Sequence, residues 1–152
     1  MIGSNADVTA LNTLIATTID SVNGYQESAE QVHNPQFREL FQELARDRQQ
    51  VVPQLQAVVA RLGGNPEDDG STLGAAHRAF VDLKSAITGR DDKSIINEVE
   101  RGEDYIKEKY ETALNNADLS ADARQAVQEA YSSVRRGHDR VRDLKHALEG
   151  AA

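Results

Sequence analysis

Apolar residues recur every three or four positions along most of this chain, the period of an amphipathic helix. The first stripe runs through Val8, Leu11, Ile15, Thr18, Val22, Tyr25, Ala29 and Val32 and is widened by Leu14 and Ile19. It predicts a helix over about Asp7 to Val32. His33-Asn34-Pro35 closes it. Asn34 suits the N-cap of a second helix, and Pro35 suits its first position, where a missing N–H costs nothing. That helix is expected to reach Leu62 with Phe37, Leu40, Phe41, Leu44, Val51, Leu55, Val58 and Val59 inward. Its stripe is interrupted at Asp47 and Arg48. Pro53 should kink it or free a carbonyl, and Gly63-Gly64 should stop it.

After the loop NPEDDGS, the residues Leu73, Ala76, Phe80, Val81, Leu83 and Ile87 predict a short amphipathic helix over 73–88, ended by Gly89. A cap at Asp91 or Asp92 then opens a helix to about Ala117, with Ile95, Ile96, Val99, Glu103, Ile106, Tyr110 and Ala113 on one face. Ser120 caps the last helix, expected to reach Leu148 with Val127, Ala130, Val134, His138, Val141 and Leu144 inward.

Four helices of about 39 Å, at 1.5 Å per residue, suit an antiparallel bundle in a single domain over residues 1–152. Tight turns join the first pair and the last pair. The middle connection, Gly63 to Asp91, is long enough to run the length of the bundle. It would then make the second and third bundle helices parallel, the ferritin-like connectivity. An up-down bundle with the short helix laid across one end is the alternative.

Two ionisable residues break the greasy faces near mid-length, Glu103 and His138. A buried charge is costly unless paired, hydrogen-bonded or bound to metal. Symmetric hairpins place Glu103 opposite Arg135, His138 opposite Glu100, and Asp47 and Arg48 beside Ser21 and Val22. The expectation is a polar core layer of Asp47, Arg48, Glu100, Glu103, Arg135 and His138. A di-iron carboxylate site needs a lone Glu and a Glu-x-x-His from each helix pair. Here Arg135 stands three before His138 and Arg46 three after Glu43, while Glu27 and Glu30 lie off the first stripe. Cations in ligand places argue for an ion pair that sets bundle register. The metal candidates that survive are Glu100, Glu103 and His138, for iron, manganese or zinc. No cofactor is expected.

Composition narrows the classes. The chain has 152 residues, no Cys, no Trp and a formal net charge of −8. Absence of Cys removes disulfides, thiolate nucleophiles and Cys-held metals. The acidity argues against nucleic acid as a partner. No apolar run approaches the roughly 20 residues that cross a bilayer, so no membrane partner is expected. Residues 1 to 33 hold no Lys or Arg, whereas the last helix carries Arg124, Arg135, Arg136, Arg140, Arg142 and Lys145. That basic run reads as a solvated face with acidic neighbours. No phosphate loop or nucleophile motif is present.

The segments LFQELARDRQQVVPQL, GAAHRAFVDLKSAITGRDD, NEVERGEDYIKEKYETAL and HDRVRDL resemble an uncharacterised family of bacterial four-helix-bundle proteins in the ferritin-like group. ERGED at Glu100 to Asp104 is the most specific piece. The resemblance spans about Leu11 to Leu148. It implies a ferritin-like fold, a cytoplasmic bacterial setting and a stress-linked role, with no established activity. Ferritin ligand roles carry over only to Glu103 and His138. Three functions stand open: a non-enzymatic structural or interaction protein, a metal binder with a degenerate site, and a carrier with an apolar slot near Gly102 and Gly137. The first admits a homo-oligomer or a protein partner docking through the 73–88 helix.

Overall fold

The computed structural model describes residues 2–68 and 91–151, with side chains for 5–68 and 91–147. Four helices are present among them: α1 Ile2–Gln31, α2 Pro35–Arg61, α3 Asp92–Leu114 and α4 Ala121–Ala151. The expected 73–88 helix lies outside the described residues.

The boundaries follow from local chemistry. Asn34 is extended and its Oδ1 accepts from the Gln36 N–H at 2.8 Å, with Pro35 at the first helical position. Asp91 caps α3 through the Ser94 N–H at 2.9 Å. Ser120 Oγ accepts from the Ala123 N–H at 3.2 Å at the start of α4. At the end of α2 Gly63 adopts φ +83°, and the Gly64 N–H reaches back to the Val59 carbonyl at 3.0 Å. A side chain at Gly63 would be strained in that left-handed conformation. The α2 helix continues through Pro53.

Two clasps reveal the topology. The Asp92 carboxylate accepts from the backbone N–H groups of His33 and Asn34 at 2.8 and 2.9 Å, so α3 starts beside the α1–α2 turn. Asp7 Oδ1 accepts from the Ser120 N–H at 2.8 Å, so α4 starts beside the start of α1. Hence α2 and α3 run parallel, and the described ends of the middle connection lie at opposite ends of the bundle. The α1 helix packs on α2 and α3, α4 packs on the same two, and α2 and α3 sit across the diagonal with their backbones apart. The chain takes the crossover topology, not the up-down alternative. The α1 and α4 helices are also diagonal, with few contacts between them. Arg140 pairs with Glu43 of α2 and Lys145 with Glu100 of α3.

The core divides into two apolar halves. One contains Leu11, Ile15, Val51, Leu55, Ile106, Val127 and Val134. The other contains Tyr25, Ala29, Phe41, Leu44, Ile95, Val99 and Val141. Each bundle helix passes from one half to the other at the same level. On α2 that level is Arg48, on α3 Glu103, and on α4 Gly137 and His138.

Candidate functional site

Arg48 follows Leu44 by one turn and precedes Val51 and Leu55, so the periodicity of α2 aims it into the core. Glu103 holds the equivalent place on α3, between Val99 and Ile106. Both are almost fully buried, at 1% and 2% exposure. The two side chains meet across the bundle diagonal in a two-bonded fork. Nη1 donates to Glu103 Oε1, and Nη2 donates to Oε2 at 2.5 Å. Planar guanidinium and carboxylate match in this way, and such pairs are among the strongest polar contacts in proteins. Arg48 also donates to Ser21 Oγ at 2.6 Å on α1 and to the Val134 carbonyl at 3.2 Å on α4. One side chain therefore ties all four helices.

Two further groups shape the site. The Tyr25 ring lies 5.2 Å from the guanidinium carbon, a cation–π distance. On α4, Gly137 makes room: a Cβ there would lie 2.8 Å from Arg48 Nη2. The apolar slot expected beside Gly137 is thus filled by the guanidinium.

The electrostatics follow from burial. Desolvation alone would lower the pKa of Arg48, but the Glu103 charge and hydrogen bonds more than offset it, and the net shift is upward. Tyr25 is raised well above its ordinary value, first by burial and then by the Glu103 charge. Its hydroxyl makes no hydrogen bond of ordinary geometry. Tyr110, whose hydroxyl shares a 2.7 Å hydrogen bond with Thr18, is pushed up to about 12 by burial. Arg48 stays protonated.

The remaining expected members of the polar layer stand elsewhere. Asp47 and Arg135 are exposed, each one position along its helix from an inward residue. Glu100 is half-buried and bonds Lys145 at 2.7 Å. His138 is buried, but its Nε2 lies 2.7 Å from Asp104 Oδ1, toward the α3–α4 seam. The expected pairs Glu103–Arg135 and His138–Glu100 are both corrected. A symmetric hairpin misplaces the register by about one turn, as the observed Tyr131–Glu111 and His138–Asp104 bonds demonstrate. The cause is the connection after α3, which reaches Asp7 on α1 before α4 begins. Arg124 then folds back to the carbonyls of Leu114 and Asn116 and satisfies the end of α3.

Glu100, Glu103 and His138, the candidate metal ligands, therefore point to three different partners. Among the described residues no three His, Asp or Glu side chains converge on a point that could hold a metal ion. The expected neighbourhood of Arg48 and Ser21 is present as a hydrogen bond, whereas Asp104 was not foreseen as a partner. The signal for Gly137 was a glycine inside a helix at the level of a buried charge.

Residues 6–116 match the family described as Domain of unknown function (DUF2383), and the chain belongs to that family. Among solved structures it is similar to the bacterioferritin-related protein of Bacteroides fragilis, described as a dodecameric thioferritin. That match has TM-score 0.78 and 13% identity, and covers 97% of this chain and 89% of that one. It is also similar to a two-domain protein of Anabaena variabilis with DJ-1/ThiJ/PfpI-like and ferritin-like domains. Here the TM-score is 0.74 with 18% identity over 98% of this chain, which spans 38% of that one. These likenesses establish a ferritin-like fold. No curated protein matches the sequence.

Ferritin-like di-iron proteins place metals in the bundle core among inward carboxylates and histidines from all four helices. The residues present here do not fit that group. Both oxygens of the buried Glu103 carboxylate are taken by Arg48, and a divalent ion beside the guanidinium would meet repulsion of several kcal/mol.

Proposed function

We propose that this member of the DUF2383 family is a non-enzymatic scaffold, a structural or interaction protein in which the Arg48–Glu103 ion pair takes the place of a metal centre. The observation that supports this is the fork itself, buried at mid-bundle and bonded to α1 and α4 as well. A pair so placed holds four helices in one register and leaves no open coordination position. It supplies no nucleophile. Removing a polar layer of this kind leaves two apolar clusters free to slide, the best-attested use of buried polar groups being to fix register.

Bacterial neighbours of the same fold, the lack of cysteine and the family resemblance support a bacterial, cytoplasmic setting with a stress-linked role. The dodecameric neighbour supports homo-oligomerisation as the form the interaction takes. No helix among the described residues is long and apolar enough to cross a membrane.

The test is metal content. Protein made without a histidine tag and supplied with iron, manganese or zinc should retain far less than one equivalent after gel filtration. Retention of a full equivalent that disappears in Glu100→Gln or His138→Ala would overturn the reading in favour of a metal-binding protein. Those two residues lie outside the fork, so both variants should fold.

A further inference from the structure

One-electron chemistry in this chain falls on its tyrosines. The chain has no Cys and no Trp, and its one methionine, Met1, oxidises by taking up oxygen. The four tyrosines differ in their surroundings, and the surroundings decide which of them gives up an electron. An oxidised phenol is a strong acid, so the electron leaves readily where a base stands within hydrogen-bond reach of the hydroxyl. A cation beside the ring acts the other way, because it opposes positive charge on the ring.

Three of the four are disfavoured. The Tyr25 ring carries the Arg48 guanidinium at 5.2 Å, and the Glu103 carboxylate has both oxygens engaged by that same arginine. The Tyr105 ring carries the Lys109 ammonium at 5.3 Å. Tyr110 is fully buried, and its hydroxyl meets Thr18 Oγ at 2.7 Å. Thr18 has one hydroxyl hydrogen, which goes to the Leu14 carbonyl at 2.7 Å. Tyr110 is therefore the donor to Thr18, and an alcohol oxygen is too weak a base to take its proton.

Tyr131 on α4 stands apart. Its hydroxyl donates to Glu111 Oε2 on α3 at 2.9 Å. Tyr131 is half-buried and Glu111 exposed, so the carboxylate is in contact with water and can pass a proton on. Behind it the Tyr131 ring stacks on Tyr110, with centroids 6.3 Å apart and planes 17° from parallel. The other charges that act on the hydroxyl are Arg135 and Asp139, of opposite sign.

We propose that Tyr131 is a one-electron donor with Glu111 as its proton acceptor, a site at which this protein reduces small one-electron oxidants in the surrounding solution. One electron passes from the Tyr131 ring to the oxidant. The phenolic O–H bond breaks, and its proton crosses to Glu111 Oε2. The products are a neutral tyrosyl radical, a protonated Glu111 and an oxidant reduced by one electron. The site goes beyond the scaffold reading: it gives its electron once per chain, without turnover and without metal.

Stopped-flow mixing of the untagged full chain with hexachloroiridate(IV), an outer-sphere one-electron oxidant, tests it. The wild type should reduce the oxidant at least fivefold faster than Tyr131→Phe. Freeze-quenched wild type should give a tyrosyl signal in electron paramagnetic resonance that Tyr131→Phe lacks. Glu111→Gln keeps a hydrogen-bond acceptor but no base, and should slow the reaction at least threefold. Tyr105→Phe should leave the rate unchanged. Circular dichroism identical to wild type confirms that each variant is folded. A Tyr131→Phe variant that reacts as fast as wild type, or that keeps the radical signal, overturns the proposal. So does a Glu111→Gln variant with the wild-type rate.

Discussion

A Cβ at position 137 would stand 2.8 Å from Arg48 Nη2 and 3.5 Å from Leu44 Cδ2. The end of an arginine usually swings away from such a contact. This one is held by Glu103, Ser21 and the Val134 carbonyl, so the strain has no easy outlet. Gly137→Ala gains up to about 1 kcal/mol of helix propensity and loses about 1–3 kcal/mol to overpacking. Urea unfolding should give a net loss of order 1 kcal/mol. In an Arg48→Met background the same change should cost less, and equal cost in both backgrounds would show that the two residues are not coupled.

The ion pair should cost more to halve than to remove. Arg48→Met and Glu103→Leu each strand a buried partner charge and should lose about 3–5 kcal/mol. The double variant replaces the pair with apolar groups and should recover most of that loss. A thermodynamic cycle measures the coupling, and a double variant as unstable as the sum of the singles would argue against it.

High pH should unfold the bundle through its buried tyrosines. Tyr110 is raised from 10.0 to about 12, so the folded state favours its neutral form. Its contribution is fully present below the unfolded value near 10 and is lost as pH rises through 12. Fully expressed, that is about 3 kcal/mol. Tyr25 is raised as well and shifts stability in the same direction. Tyrosinate absorbance and circular dichroism should therefore change together above pH 10. Tyr110→Phe should flatten the stability slope in that window.

Asp92 joins the start of α3 to the α1–α2 turn through two backbone N–H groups. Asp92→Ala removes both bonds and should lower stability by about 1–3 kcal/mol. Hydrogen exchange at the His33 and Asn34 amides should speed up more than exchange at mid-bundle. Uniform acceleration would mean that the clasp acts only through global stability.

Much of the architecture is local and therefore readable from the chain. Asn34-Pro35 and Gly63-Gly64 mark helix ends because cap and turn chemistry depends on neighbours a few residues away. The three-four spacing marks inward faces for the same reason, which is how Glu103 and His138 stood out as buried ionisable groups. The length of the middle connection pointed to the crossover. What the spacing could not decide is which inward group meets which. Arg48 and Glu103 lie 55 positions apart, on helices that face each other only across the bundle diagonal. Arg135 is a cation of similar promise but faces solvent. Helical periodicity defines a face within each helix. The rotation and stagger between helices come from packing all four together, and a one-turn slip of α4 against α3 was enough to separate the expected pairs Glu103–Arg135 and His138–Glu100.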